Sequence, residues 1–189
     1  MRLFLTRNSP TLISGENSMK VNLGAGRQAY EHPGYINVDI IGSDDINFVW
    51  DCNNGLPRQT WKKVDGEYVT NTEYKVFPDN TVDEFLCKHF LEHLTTEGFM
   101  RLMDEMWDAL KPDGILHVLV PNAEHIRAAD SDPTHRKRFT RWTFDYFTKE
   151  SLAAYPYTEK PWKILDGYPK VNGSEGDWWE LEWILQPDK

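Results

Sequence analysis

Short apolar runs alternate with polar, glycine- and asparagine-containing segments along most of the chain. Apolar runs of about four to eight residues that end at turn residues are typical of buried strands. They predict strands at Lys20–Gly24, Tyr35–Asp39, Asn47–Asp51, Val82–Cys87, Ile115–Val120, Trp162–Leu165 and Trp178–Leu185. The stretch Gly66–Phe77 is compatible with a further strand or an inserted hairpin.

One long segment has a helical period instead. Apolar residues recur every three or four positions between Leu91 and Leu110, and Lys111-Pro-Asp-Gly114 follows as a stop signal. The link between the first two strands, residues 27–34, contains Pro33-Gly34 and is too short for a full helix. Together the elements predict an α/β fold with a mixed sheet of seven strands. We expect the last strand to be antiparallel and to lie between Ile115–Val120 and Trp162–Leu165.

The chain has 189 residues, which is enough to bury the core of one domain. Residues 1–17 are polar and lack periodicity, so we interpret them as an N-terminal arm. Residues 18–189 are then a single domain. No internal repeat is visible.

The charge balance narrows the classes of partner. The formal net charge is −9, which disfavours a general nucleic-acid binder or a binder of anionic membranes. The two cysteines, Cys52 and Cys87, are far apart and indicate a reducing compartment without a disulfide framework. No stretch has the length of a signal peptide or a membrane span. We therefore expect a cytoplasmic protein with no membrane partner.

Gly24-Ala25-Gly26 follows the first predicted strand, and the second predicted strand ends on Asp39. Glycine lets the backbone approach a ligand closely, and a carboxylate at the end of the next strand is the usual acceptor for a ribose diol. The pattern indicates a cofactor that contains a nucleoside. A nicotinamide dinucleotide is an alternative because residues 24–29 fit Gly-x-Gly-x-x-Ala, although Asp39 comes too soon after the glycines for that class.

Further motifs follow in a fixed order: Asn-Val-Asp-Ile at 37–40, Trp-Asp-Cys at 50–52, His-Phe-Leu-Glu-His-Leu at 89–94, Leu-Lys-Pro-Asp-Gly at 110–114 and Asp-Pro-Thr-His at 132–135. In this order the chain resembles a class I S-adenosylmethionine-dependent methyltransferase. More narrowly, it is similar to a small bacterial and phage-encoded branch with the His-x-Leu-Glu-His and Asp-Pro-Thr-His segments. The resemblance implies a Rossmann-like fold, S-adenosyl-L-methionine as cofactor and S-adenosyl-L-homocysteine as product.

The resemblance also implies roles for the residues at these motifs. Gly24, Ala25 and Gly26 would lie close to the methionine and ribose, and Asp39 would accept the two ribose hydroxyls. Ile40 would pack against adenine. Asp51 would meet the adenine amino group, with Cys52 and Asn53 beside it. His89 would face the methyl group, while Asn22 stands where the family often has an acid.

His89, Glu92 and His93 are spaced to share one face of the predicted helix. We expect them to converge with His135 at the methyl end of the cofactor. In one version His89 or His135 is the general base and there is no metal, which is the version we favour. In the other, His89, Glu92, His93 and His135 bind a divalent ion, since imidazole and carboxylate suit such ions.

The basic run after His135 makes Arg136 and Arg138 candidates for binding an acceptor that carries phosphate or carboxylate. A small-molecule acceptor with an oxygen or nitrogen nucleophile is therefore the main hypothesis. The alternatives are an RNA or other nucleic-acid 2′-O-methyltransferase and a non-catalytic S-adenosylmethionine-binding protein.

Overall fold

The computed structural model describes residues 18–58, 60–64, 67–71, 75–174 and 177–189. The proposed arm at residues 1–17 lies outside them. The described strands are β1 (Lys20–Leu23), β2 (Tyr35–Asp39), β3 (Phe48–Val49), β4 (Thr60–Val64), β5 (Glu67–Asn71), β6 (Val82–Lys88), β7 (Leu110–Pro121), β8 (Trp162–Ile164), β9 (Lys170–Ser174) and β10 (Asp177–Pro187).

The main sheet has the strand order β3-β2-β1-β6-β7-β10-β8. Strands β3, β2, β1, β6 and β7 are parallel to one another, and β10 is antiparallel to both β7 and β8. The prediction that the last strand inserts backwards between two earlier strands is confirmed. The described sheet also has an eighth strand, β9, which pairs with β10 and was not predicted because its sequence is polar.

The hairpin in the middle of the chain is formed by β4 and β5, which pair only with each other in the described residues. It begins before the predicted stretch Gly66–Phe77, and parts of that stretch lie outside the described residues. The hairpin connects the region after β3 to β6. It is therefore an insertion beside the main sheet.

The helices are α1 (Thr96–Ala109), α2 (Ile126–Asp130) and α3 (Lys149–Ala154), with 3₁₀ turns at Gly26–Glu31, Cys52–Asn54, Leu91–His93 and Thr143–Phe147. The prediction of a helix that begins at Leu91 was wrong at its start. The α-helix begins after Thr95, whose hydroxyl accepts a hydrogen bond from the amide of Gly98 at 3.0 Å. That N-cap fixes the first turn five residues later than the apolar period suggests.

The core lies between one face of the sheet and α1. Along β7 the side chains of Leu116, Val118 and Val120 are fully buried, whereas the residues between them are only partly buried. From α1, apolar residues pack into the same cluster: Phe99, Leu102, Met103 and Met106. No helix among the described residues is long and apolar enough to cross a membrane.

The parallel arrangement decides where a ligand can bind. The carboxyl ends of β1, β2, β6 and β7 lie at the same edge of the sheet, and ligands of open α/β sheets bind outside that edge. The residues that follow these strands are Gly24, Ile40, His89 and Asn122.

Candidate active site

A cleft opens at this edge of the sheet. It is lined by residues from the ends of β1 and β6 and from the 3₁₀ turn after β1: Asn22, Gly24, Ala25, Gly26, Arg27, His32, Lys88 and His89. All three predicted glycine-motif residues and His89 therefore face one cavity. Arg27, His32 and Lys88 were not predicted, because nothing in their local sequence distinguishes them from surface residues.

Gly24 and Gly26 both have positive φ angles, of 68° and 58°. A Cβ on Gly24 would lie 2.3 Å from the side chain of Phe90, so this glycine is required by packing as well as by its backbone. Within the described part of the chain, a Cβ on Gly26 would have no neighbour within 4 Å. The space next to Gly26 is therefore open to a ligand.

Asp39 lies directly beside the second of these glycines. One carboxylate oxygen accepts a hydrogen bond from the amide of Gly26, and the other accepts one from the amide of Ile41, each at 2.8 Å. A carboxylate has about four acceptor positions, so capacity remains for a diol. Ile40 is 63% exposed beside it, which gives an apolar surface at the end of β2.

Asp51 and Asn53 are engaged in local structure. Asp51 Oδ1 accepts hydrogen bonds from the backbone amide and the side-chain amide of Asn53, both at 2.9 Å. Asn53 Oδ1 in turn accepts from the amide of Thr95 at 2.9 Å, which ties this turn to the start of α1. No hydrogen bond from the described residues reaches Asp51 Oδ2, so this oxygen is available to a ligand.

The Cys52 side chain does not face the cleft. It is buried in the main core cluster, and burial, followed by the nearby carboxylates, raises the pKa of the thiol to about 12. A contact from this position to a cofactor would have to come from the backbone. The apolar character of the thiol explains this placement, because uncharged cysteine packs as a small hydrophobic residue.

His89 is held between two carboxylates. Its Nε2 lies 2.8 Å from Glu180 on β10, and its Nδ1 lies 3.7 Å from Glu92. The hydrogen bond to Glu180, and after it the interaction with Glu92, raises the pKa of His89 to about 9. His89 has a positive φ of 49° and lies outside α1, so it does not share a helical face with Glu92 and His93 as the spacing suggested.

Glu92 is the most unusual group in this region. Its side chain is 1% exposed, and neither carboxylate oxygen has a hydrogen-bond partner among the described residues. The Nε2 atom of His135 lies 4.0 Å from Glu92 Oε1, and the rings of His93 and His135 meet edge to face at 5.0 Å. The structure thus brings Glu92, His93 and His135 together, and His89 Nδ1 approaches the same Glu92 oxygen, Oε1, as His135 does.

Backbone hydrogen bonds position the loop after β7, which carries His135. The carbonyl oxygen of Glu92 accepts hydrogen bonds from the amides of Arg136 and Lys137, at 2.8 and 3.0 Å. The amide of His135 itself donates to the Asp132 carbonyl at 3.2 Å. These bonds fix the loop against the turn that carries Glu92, although the two segments are far apart in the sequence.

Most side chains of the basic run at residues 136–141 form local ion pairs or packing contacts. Arg138 lies 2.6 Å from Asp130, Arg141 lies 2.8 Å from Glu124, and the Lys137 ammonium lies over the ring of Phe99. Arg136 is exposed and has no ion pair among the residues that the structure describes. Arg136 and Arg138 were both predicted to bind the substrate, and of these two only Arg138 is paired with a carboxylate among the described residues.

Comparisons with known proteins relate the chain to methyltransferases by sequence and by fold. Residues 51–118 match the model of a family described as a methyltransferase domain. A SAM-dependent methyltransferase from Archaeoglobus fulgidus has a similar structure, with a TM-score of 0.54 and 16% identity over 89% of this chain and 86% of that one. The chain has the fold of class I methyltransferases, and the methyltransferase family model matches a little over a third of its length. No curated protein sequence matches it significantly.

Two further structures show the range of enzymes that share this methyltransferase fold. The 1,6-didemethyltoxoflavin-N1-methyltransferase of Burkholderia thailandensis, solved with its acceptor and S-adenosylhomocysteine, gives a TM-score of 0.52 at 16% identity, over 91% of this chain and 72% of that one. The small RNA methyltransferase HEN1 gives 0.54 at 15% identity, over 93% of this chain and 24% of that one. At these identities the likeness establishes the fold, and it leaves the acceptor open.

Proposed function

We propose that this chain transfers a methyl group from S-adenosyl-L-methionine to an oxygen or nitrogen atom of a small acceptor. The observation that carries the proposal is the pairing of Gly26 with Asp39. The amide nitrogen of Gly26, a glycine with open space beside it, lies 2.8 Å from Asp39 Oδ2 at the end of β2. In folds of this kind the nucleoside of the cofactor binds at this edge of the sheet.

The cleft, together with Asp39, Ile40 and Asp51 outside its lining, supports one orientation of the cofactor. Asp39 would accept the ribose hydroxyls, and Ile40 would cover one face of the adenine. Asp51 Oδ2 would reach the adenine amino group. The methionine end would pass Gly24 and Gly26 towards His89, because these residues line the same cleft.

The sulfonium of S-adenosylmethionine supplies an activated methyl group, so the protein mainly has to align the acceptor and exclude water. His89 is protonated at neutral pH because its pKa is about 9. A protonated imidazole orients an acceptor but does not remove its proton. We therefore propose His89 as a wall of the methyl site, and His135, beside the buried Glu92, as a residue that promotes loss of the acceptor proton.

A small acceptor is favoured over RNA by charge. The net charge is −9, and two arginines of the only dense basic run are paired with carboxylates. RNA binding relies on phosphate contacts that this surface offers sparingly. Arg136 is the remaining candidate contact for a single anionic group on the acceptor.

The test is methyl transfer from S-adenosylmethionine that carries an isotopic label in its methyl group. A cell extract is separated into small-molecule, RNA and protein fractions, and each is incubated with wild-type protein or with Asp39→Ala. We expect label in the small-molecule fraction with the wild type, and at least about tenfold less with Asp39→Ala, since two hydrogen bonds to an ionised acceptor are lost. Label in RNA instead would support the nucleic-acid alternative, and label in none would support a non-catalytic binder.

A further inference from the structure

A three-residue cluster next to the cleft has the composition of a metal site. Glu92, His93 and His135 each offer one ligand atom, and these three atoms all lie within 4.8 Å of one another. Two ligand atoms that each lie about 2.0–2.2 Å from one ion are at most about 4.4 Å apart, so small side-chain movements would bring all three onto a common centre. One carboxylate oxygen and two imidazole nitrogens would leave further coordination positions open.

The buried carboxylate of Glu92 is the second, independent observation. Both of its oxygens lack a hydrogen-bond partner among the described residues, and the side chain is almost fully buried. A carboxylate without partners in the interior is strongly unfavourable unless a cation compensates it. The nearest cationic candidates, His89 at 3.7 Å and His135 at 4.0 Å, are beyond hydrogen-bond distance.

The surroundings of His93 are those of a metal-binding histidine. Its Nδ1 lies 3.0 Å from the hydroxyl of Thr134, and that hydroxyl donates to Asp132 Oδ1 at 2.6 Å. Metal ligands of this type usually have their other ring nitrogen fixed by an oxygen atom in this way. With Nδ1 engaged, Nε2 is the nitrogen of His93 that remains for an ion.

His89 does not belong to the cluster, although the sequence spacing grouped it with Glu92 and His93. Its Nε2 is bonded to Glu180 at 2.8 Å, and its Nδ1 faces Glu92. The side chain therefore fills the gap between the cofactor cleft and Glu92. His89 Nδ1 and His135 Nε2 approach the same oxygen, Glu92 Oε1, so His89 is a neighbour of the three-residue cluster and not one of its ligands.

We propose that Glu92, His93 and His135 bind a divalent transition-metal ion such as Mn²⁺ or Zn²⁺ at the acceptor side of the cleft. Imidazole nitrogens select such ions over Mg²⁺, which prefers oxygen ligands. The site lies beside the cofactor cleft, so an acceptor hydroxyl can occupy an open coordination position and become easier to deprotonate. This last step rests on the proposed methyl transfer, whereas binding of the ion does not.

The test uses the metal alone. The 189-residue protein is treated with a chelator, dialysed, and titrated with Mn²⁺, Zn²⁺ or Co²⁺ by calorimetry, while Co²⁺ binding is also followed by its visible absorption. We expect one ion per chain and no displacement of Mn²⁺ by an equal concentration of Mg²⁺. Equal competition by Mg²⁺ would contradict the nitrogen-containing ligand set.

Two variants and a matched control locate the ion. Glu92→Gln keeps the shape of the side chain and should weaken binding by more than about 100-fold, while Thr134→Ala should weaken it by about ten- to 100-fold, as for other residues that orient a ligand. Glu182→Gln is the control, because Glu182 forms another histidine–glutamate contact, with His117 at 3.0 Å, and no third metal-ligating side chain completes that pair among the described residues. It should bind the ion as the wild type does.

The outcomes separate this inference from the proposed function. Wild-type protein that takes up no stoichiometric ion, or a Glu92→Gln variant that binds it with unchanged affinity, would overturn the metal site. Circular dichroism of Glu92→Gln confirms that the variant is folded. If the protein binds S-adenosylhomocysteine but no metal ion, this inference is refuted and the proposed function stands. If it binds the metal ion but not S-adenosylhomocysteine, the proposed function is refuted and the metal site stands.

Discussion

At the scale of single residues, Gly24 and Gly26 share a backbone conformation but differ in their surroundings. Phe90 packs against Gly24, whereas the space beside Gly26 is open. The sequence predicted the glycine motif but not this difference, because Phe90 comes from the end of another strand, far along the chain. One glycine is therefore needed mainly for the fold and the other for a ligand.

Substitution of each glycine by alanine tests the distinction. Gly24→Ala should lower the melting temperature substantially, because the new Cβ has no room beside Phe90. Gly26→Ala should cost only about 1–2 kcal/mol of unfolding free energy from its positive φ, but it should weaken S-adenosylhomocysteine binding at least about tenfold. Equal melting temperatures for the two variants, measured by scanning calorimetry, would contradict the account.

His89 supplies a prediction about pH. Glu180 and then Glu92 raise its pKa from the ordinary value of 6.5 to about 9. The stabilisation from the protonated imidazole is therefore fully present below pH 6.5 and is lost as the pH rises through about 9. In chelator-treated protein, NMR should show a His89 midpoint near 9, and Glu180→Gln should shift it towards 6.5. A wild-type midpoint near 6.5 would show that the Glu180 contact does not form.

At the scale of elements, the start of α1 is set by a cap that the apolar period did not reveal. The pattern from Leu91 onwards is helical in spacing, but the first three residues form a 3₁₀ turn, and the α-helix begins after Thr95. A threonine three residues before Gly98 is a local signal that the periodicity alone overlooks. The break matters for function, because it separates Glu92 and His93 from the regular helix.

The cap can be tested by two substitutions at one position. Thr95→Ala removes the acceptor for the Gly98 amide and should lower the unfolding free energy by about 1 kcal/mol, whereas Thr95→Ser keeps the acceptor and should change it little. Urea denaturation followed by circular dichroism measures both. An alanine variant as stable as the serine variant would show that the cap contributes nothing.

The strands differ in how far their sequences predict them. Ile115–Val120 is a continuous apolar run, so β7 was predictable, although its residues are fully buried on one face only. Lys170–Ser174 has the sequence Lys-Val-Asn-Gly-Ser, and it forms β9 only because β10 supplies a pairing edge. Such a strand depends on a tertiary contact, which local sequence cannot show.

At the scale of the whole molecule, the insertion of β10 between β7 and β8 builds the site as well as the sheet. It places Glu180 against His89, two residues that are remote in the sequence. The sequence predicted the insertion and the residues of the cluster. It could not predict that His89 pairs with Glu180 instead of joining the cluster, because side-chain partners across inserted strands depend on register.

The central claim is that the cleft at the ends of β1 and β6 binds S-adenosylmethionine, with Asp39 at the end of β2 holding the ribose. Calorimetric titration of S-adenosylhomocysteine into wild-type protein, Asp39→Ala and the control Asp45→Ala tests it most directly, with NAD as the competing ligand. We predict one site in the wild type and in Asp45→Ala, at least about tenfold weaker binding in Asp39→Ala, and no NAD binding. Unchanged affinity in Asp39→Ala, or binding of NAD in place of S-adenosylhomocysteine, would contradict the account.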